Sequence, residues 1–201
     1  MGDQIIESDW FENTSKRISL IIIFVAIAIS MGYAFAYLKA IVYAFANFEL
    51  FTLIVFLSGF VMGKRDGLIV GLASALIYFG LNPFGFPPLG IYLFQVIFFA
   101  LEGLSGGLMQ NYFKSKEYFK SKENLYIPLV IIIFGIVGLV ITFIYDNLIS
   151  VIYYYVFPYG DLITYLINGM AFTILHLVFN IIEFALILPG LIMLVCRMLK
   201  K

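Results

Sequence analysis

Long uninterrupted apolar runs constrain this chain more than any other feature. They begin near Ile18, Phe48, Leu68, Leu89, Ile127 and Met170. The runs over 18–38 and 127–145 reach or approach the roughly 20 residues that a helix needs to cross the hydrocarbon core. Those over 48–63 and 68–81 are shorter. Short segments cross by tilting, by thinning the bilayer or by sheltering behind neighbours. Membrane β-strands alternate apolar and polar residues over about ten positions; these runs are continuous, which excludes a barrel. With 63% hydrophobic and 12% charged residues, a soluble core cannot hide the apolar surface. The expected fold is an all-α integral membrane protein, a bundle of six transmembrane helices.

Basic residues orient such a bundle, because positive charge is retained on the cytoplasmic side. Threading six crossings from a cytoplasmic N-terminus puts eleven of the twelve Lys and Arg residues inside. Lys16 and Arg17, Lys64 and Arg65, Lys114, Lys116, Lys120 and Lys122, and Arg197, Lys200 and Lys201 all fall there, and only Lys39 falls outside. Both termini are therefore expected in the cytoplasm. The organisation is a cytoplasmic arm over 1–17 and a single six-helix membrane domain over 18–201, placed in the cell membrane as a multi-pass protein. Ala34-Phe35-Ala36 imitates a signal-peptidase site. The apolar stretch before it exceeds the usual 7–15 residues or so, and the arm carries Asp3, Glu7, Asp9 and Glu12, so the first helix is expected to be retained.

Net charge is zero and the basic clusters lie beside the membrane. They set topology and touch anionic lipid; nucleic acid is not a partner. The lone Cys196 excludes an intramolecular disulfide, and one His with one Cys excludes a Cys/His zinc cage. Nothing in the pattern calls for a cofactor.

Polar residues inside apolar helices face the bundle interior, because lipid offers them no hydrogen bonds. In the last helix His176, Asn180 and Glu183 follow an i, i+4, i+7 spacing that puts them on one face. The fourth helix carries Gln95 and Glu102, again seven apart. Two readings compete. One is a set of interhelical hydrogen bonds worth about 1 kcal/mol each. The other is an outward-facing solute pocket between helices four to six, beneath a long connection over 146–169. Its candidate residues are Asn82, Tyr92, Gln95, Asp146, His176 and Asn180. The amides donate and accept, which suits a heterocycle edge, and Tyr92 suits stacking on a ring. The tyrosines of 146–169 fit either a binding mouth or an interfacial aromatic belt. Glu102 and Glu183 lie deeper, where a structural pair or a partner contact is the expectation.

Small residues form a second pattern. Ala26, Ser30 and Ala34 repeat every fourth position, as do Ala28, Gly32 and Ala36. Gly59, Gly63, Gly67 and Gly71 keep the same period across the second hairpin, and Gly103, Gly106 and Gly107 follow in the fourth helix. Such faces let helices approach closely. The first helix offers two of them, more than one neighbour requires.

The stretch over 47–108 resembles the substrate-binding S component of energy-coupling factor (ECF) transporters. The likeness rests on Asn47 and Glu49 entering helix two, the glycine ladder, Asn82-Pro83-Phe84-Gly85, and Gly103 with Gly106-Gly107. The ending HLVFNIIEFALILPGLIMLVCRMLKK is also similar to family C-termini. The resemblance implies a subunit that binds a vitamin or related micronutrient from outside. A transmembrane scaffold and two cytoplasmic ATPases would drive uptake, and the binding subunit would topple to release its cargo. The first helix would dock on the scaffold through Ala26 and Ser30 or through Ala28 and Gly32, where Ser and Gly depart from a strict small-residue pattern of alanines. The chain has no G-x-x-x-x-G-K-[ST] phosphate loop, so ATP hydrolysis belongs to a partner.

The main alternative is a stand-alone secondary transporter or channel that uses Glu102 and Glu183 as proton carriers. An enzyme is not expected: His176 has no second histidine and no His-Glu-x-x-His motif around it. The topology makes a direct prediction. In intact cells, cysteines placed at Ser8 and Lys200 stay inaccessible to an impermeant thiol reagent, whereas one placed within 82–90 reacts. Labelling of either terminal site from outside refutes the orientation.

Overall fold

The computed structural model describes residues 13–42, 48–115, 128–158 and 160–199. Among them the chain forms six helices and no strand. They are α1 (Thr14–Ile41), α2 (Leu50–Met62), α3 (Lys64–Gly80), α4 (Leu89–Ser115), α5 (Pro128–Val156) and α6 (Leu162–Leu199). Four of them, α1, α4, α5 and α6, are long and apolar enough to cross a membrane. Residues 1–12 of the N-terminal arm, Asn47, Tyr159, the lysine-rich repeat beyond Ser115 and the terminal lysines lie outside the described residues, and the rest of the arm from Thr14 belongs to α1.

The helix α2 is the centre of the bundle. Every residue from Phe51 to Met62 is buried, as expected of a helix that is apolar all round. At 13 residues it is about 20 Å long, so it spans less than the hydrocarbon thickness and is sheltered by its neighbours. Glycine brings those neighbours to backbone contact. A Cβ on Gly59 would strike the Gly103 carbonyl of α4, and one on Gly67 would strike both that carbonyl and the Gly59 Cα. One on Gly106 would strike the Phe56 carbonyl, and one on Gly71 the Phe99 carbonyl. The turn from α2 to α3 is the single residue Gly63 at φ 95°, a left-handed conformation that side chains disfavour. Lys64 to Asp66, expected as a hairpin, instead form the first turn of α3. Asp66 is buried there and takes a two-pronged ion pair from Arg17 of α1, with Arg17 Nε 2.7 Å from Oδ2.

The structure distinguishes the two small faces of α1. Leu20, Phe24, Ala28 and Gly32 are buried; Gly32 lies against the rings of Tyr78 and Phe51, where a Cβ would come within 2.7 Å of Tyr78. Ala26, Ser30 and Ala34 are exposed beside Ile22, Ile23, Ile27 and Met31.

Helices α5 and α6 are longer than the apolar runs implied. Asp146 does not end α5, which continues to Val156, and α6 begins at Leu162 rather than near Met170. The long connection expected over 146–169 is therefore mostly helix, and only the residues between Val156 and Leu162 link the two. Asp161 caps α6, accepting from the Thr164 backbone N–H at 2.9 Å and the Thr164 hydroxyl at 2.7 Å. Those bonds hold its carboxyl below the usual carboxylate range. Toward its other end α6 widens into a π turn over Glu183–Ile187, where the Leu188 N–H reaches back to the Glu183 carbonyl. Pro189 follows at once. It has no N–H to offer and crowds the carbonyl four residues back, so the wider turn accommodates it.

The glycine contacts carry a measurable cost of substitution. Gly103→Ala is expected to destabilise the detergent-solubilised protein by about 2 kcal/mol, as forced overpacking does. Ala26→Leu, on an exposed face, stays within about 0.5 kcal/mol of the wild type. Thermal unfolding of the two variants side by side tests both.

Candidate functional site

Five helices deliver polar groups to one buried centre near the end of α1 that carries Lys39. That residue is 22 positions, about 33 Å, along the helix from Arg17. Lys39 Nζ sits 3.2 Å from Glu49 Oε1. This gives Lys39 a counter-charge inside the bundle. Glu49 caps the start of α2, and its other oxygen accepts from Thr52 Oγ1 at 3.4 Å. Its own backbone N–H, one of the donors that a helix start leaves without an intrahelical partner, donates to Glu183 Oε1 at 3.1 Å. Glu183 is fully buried. The π turn places its carboxylate at the positive end of α2, where negative charge is favoured.

His176 links this group to α5. Its Nδ1 lies 3.0 Å from both Asp146 oxygens, and both residues are 3% exposed. Facing a carboxylate, Nδ1 carries the proton. The opposite nitrogen, Nε2, is 3.8 Å from Glu49 Oε2, beyond hydrogen-bond reach. One turn along, Asn180 Nδ2 donates to the His176 carbonyl at 3.1 Å. The sequence Lys39, Glu49, His176, Asp146 thus alternates base and acid from α1 to α5.

Above Asp146 a cavity of about 620 Å³ opens between α5 and α6. Asp146, Tyr153, Tyr165, Asn168, Phe172 and Thr173 are among its lining residues. Its size falls in the roughly 300–1,000 Å³ range of small-molecule sites. Asp146 is the one charged residue in that lining, and it connects the cavity to the polar centre beneath.

Of the residues singled out in the sequence, Asp146, His176 and Asn180 come together here. Gln95 reaches the same region less directly, donating to the Tyr145 hydroxyl at 3.3 Å. Two others do not belong to the cavity. Tyr92 donates to the Leu76 carbonyl at 3.2 Å and packs on Phe86. Asn82 accepts from the Phe84 N–H at 2.9 Å and so shapes the turn before α4. Helix four is absent from the cavity lining, which comes from α5, α6 and Gly160 of the link between them. Glu102 and Glu183 do not pair: Glu183 is taken by the Glu49 N–H, and neither Glu102 oxygen has a hydrogen-bond partner.

Lys39 and Glu49 are the members that sequence reasoning missed. Their signals were present as exceptions, a lysine against the charge bias and an acid at the mouth of an apolar helix. Among the described residues no trio of His, Cys, Asp and Glu is placed to hold a metal ion. No family model, curated protein or solved structure matches this chain.

The His176–Asp146 bond predicts strong coupling. Asp146→Ala is expected to cost about 3 kcal/mol, because it strands a buried imidazole. His176→Ala made in that background should cost far less than His176→Ala alone. A double-mutant cycle of unfolding in detergent reads the difference.

Proposed function

We propose that this chain is the substrate-binding membrane subunit of an ECF-type importer, capturing a vitamin or related micronutrient from outside the cell. One observation carries the reading: a cavity of small-molecule size between α5 and α6 whose floor, Asp146, is tied through His176 to a buried polar centre. Interhelical packing alone does not call for a lined void beside such a centre. In this reading the chain crosses the cell membrane six times with both termini in the cytoplasm, and α2 and α3 are short crossings sheltered inside the bundle. The cavity then opens on the outer side, and the Arg17–Asp66 end faces the cytoplasm.

Energy comes from a transmembrane scaffold and two cytoplasmic ATPases. The scaffold docks on α1 through Ala26 and Ser30, whose face is left open by the bundle, while Ala28 and Gly32 serve internal packing. The open face continues into exposed Ile22, Ile23, Ile27 and Met31, which gives a partner helix apolar contact on both sides of a close approach.

A second reading draws on the alternation of Lys39, Glu49, His176 and Asp146. Such a chain can pass protons, and with Glu102 and Glu183 nearby it would suit a stand-alone secondary transporter.

Uptake separates the two. Tagged protein taken from its own cells in mild detergent is expected to bring down a polytopic scaffold and two ATPases, and a retained small molecule identified by mass spectrometry gives the cargo. Ala26→Trp and Ser30→Trp should abolish uptake of that cargo with its binding intact. Uptake into vesicles holding this chain alone overturns the importer reading and favours the second.

A further inference from the structure

Several buried polar atoms of the centre have no hydrogen-bond partner among the described residues. Six buried side-chain atoms in and around it have no partner: Gln95 Oε1, both Glu102 oxygens, His176 Nε2, Asn180 Oδ1 and Glu183 Oε2. Five of the six are oxygens. Asn180 is fixed in this sense, because its amide nitrogen must face the His176 carbonyl, which only accepts, and its Oδ1 is therefore the end left over. Four carboxyl groups, from Glu49, Glu102, Asp146 and Glu183, stand against two basic groups, Lys39 and His176. Glu102 lies within electrostatic range of Glu49, and Glu183 within range of Glu49, His176 and Lys39.

The cavity above repeats the bias. Its lining contains no Lys, Arg or His, and its one charged side chain is Asp146. Tyr153, Tyr165 and Phe172 add three rings to the lining of the same cavity. An aromatic face attracts a cation and stacks on a planar ring. Ser150 and Thr173 add hydroxyls to the wall, and Asn168 an amide. A carboxylate ligand would meet Asp146 with no basic side chain in the wall to receive it.

We propose that the α5–α6 cavity selects a small planar organic cation, an amidinium or a protonated amino-heterocycle, with its N–H donors directed to Asp146 and its ring held by Tyr153, Tyr165 and Phe172. Asp146 has both oxygens on one His176 nitrogen, so each keeps lone pairs for a second donor. The aromatic lining favours an organic cation over a bare metal ion. This rests on the reading of the cavity as the solute site and names the chemistry of the solute.

The test uses three nearly isosteric probes on the purified full-length chain in detergent, without partner subunits: benzamidine, benzamide and benzoate. Binding is measured by calorimetry and by shifts of the melting temperature. Benzamidine is expected to bind about tenfold or more tightly than benzamide, the size of one charge-assisted contact, and benzoate more weakly still. Phe172→Leu, at a half-exposed position, should weaken benzamidine severalfold while the protein stays folded. Asp146→Asn should bring benzamidine down to the level of benzamide. Should Asp146→Asn fail to fold, the order of the three probes on the wild type and the Phe172→Leu result decide the matter. Benzoate or benzamide binding as well as benzamidine overturns the cation assignment and leaves the cavity as a solute site. Failure of all three to bind overturns both. Co-purification with ATPases bears on the importer reading alone, so the two proposals fail separately.

Discussion

Backbone-to-backbone contact among α2, α3 and α4 underlies the rest of the architecture. Gly59, Gly67, Gly71, Gly103 and Gly106 remove the side chains that would hold three helices apart. In a membrane, helices gain little from the hydrophobic effect against one another, and close van der Waals packing takes its place. That packing lets a helix of 13 residues, α2, lie with every side chain from Phe51 onward enclosed. It also fixes where α2 begins. Because Gly63 closes the α2–α3 turn in one residue, Glu49 is held at the opposite end of the same rigid trio, facing α6.

The polar centre depends on that placement. An acid at a helix start needs partners, and Glu49 finds them in Lys39, Thr52 and the neighbouring His176. The reciprocal contact, from the Glu49 N–H to Glu183, exists because α6 departs from regular α geometry ahead of Pro189. A buried polar network is costly unless its members are satisfied. Here the bases and the helix start answer part of the demand, and several polar atoms are left without a partner among the described residues.

The cavity and the exposed face of α1 occupy different parts of the molecule. The first lies between α5 and α6, the pair least involved in the glycine-packed trio, so ligand entry need not disturb the trio. The second lies on the helix that packs against that trio from outside. A rigid middle with the proposed solute site on one flank and the proposed docking face on another suits a subunit that moves as a body. It suits a channel less well, since a channel needs a continuous polar path and the Arg17–Asp66 end offers the polar centre no such link among the described bonds.

The amino-acid sequence by itself determined the helical class, the apolar segments, the glycine ladder and the common face of His176, Asn180 and Glu183. All of these are periodic, and period is what a helix writes into a linear chain. It also brought Asp146 and His176 into one candidate set, though not into contact. Only the tertiary structure decided which small face of α1 is used internally, because Ala28-Gly32 and Ala26-Ser30 have the same spacing and differ only in whether Tyr78 and Phe51 lie opposite. Only the tertiary structure extended α5 past Asp146. A charged residue reads as a helix end until its hydrogen-bond partner, 30 positions away, is found inside the bundle. Lys39 and Glu49 were legible as anomalies and not as a pair. The physical reason is the same throughout: a repeat is a local property of the backbone, whereas the cost of burying a charge is set by whatever side chain the fold brings across to meet it.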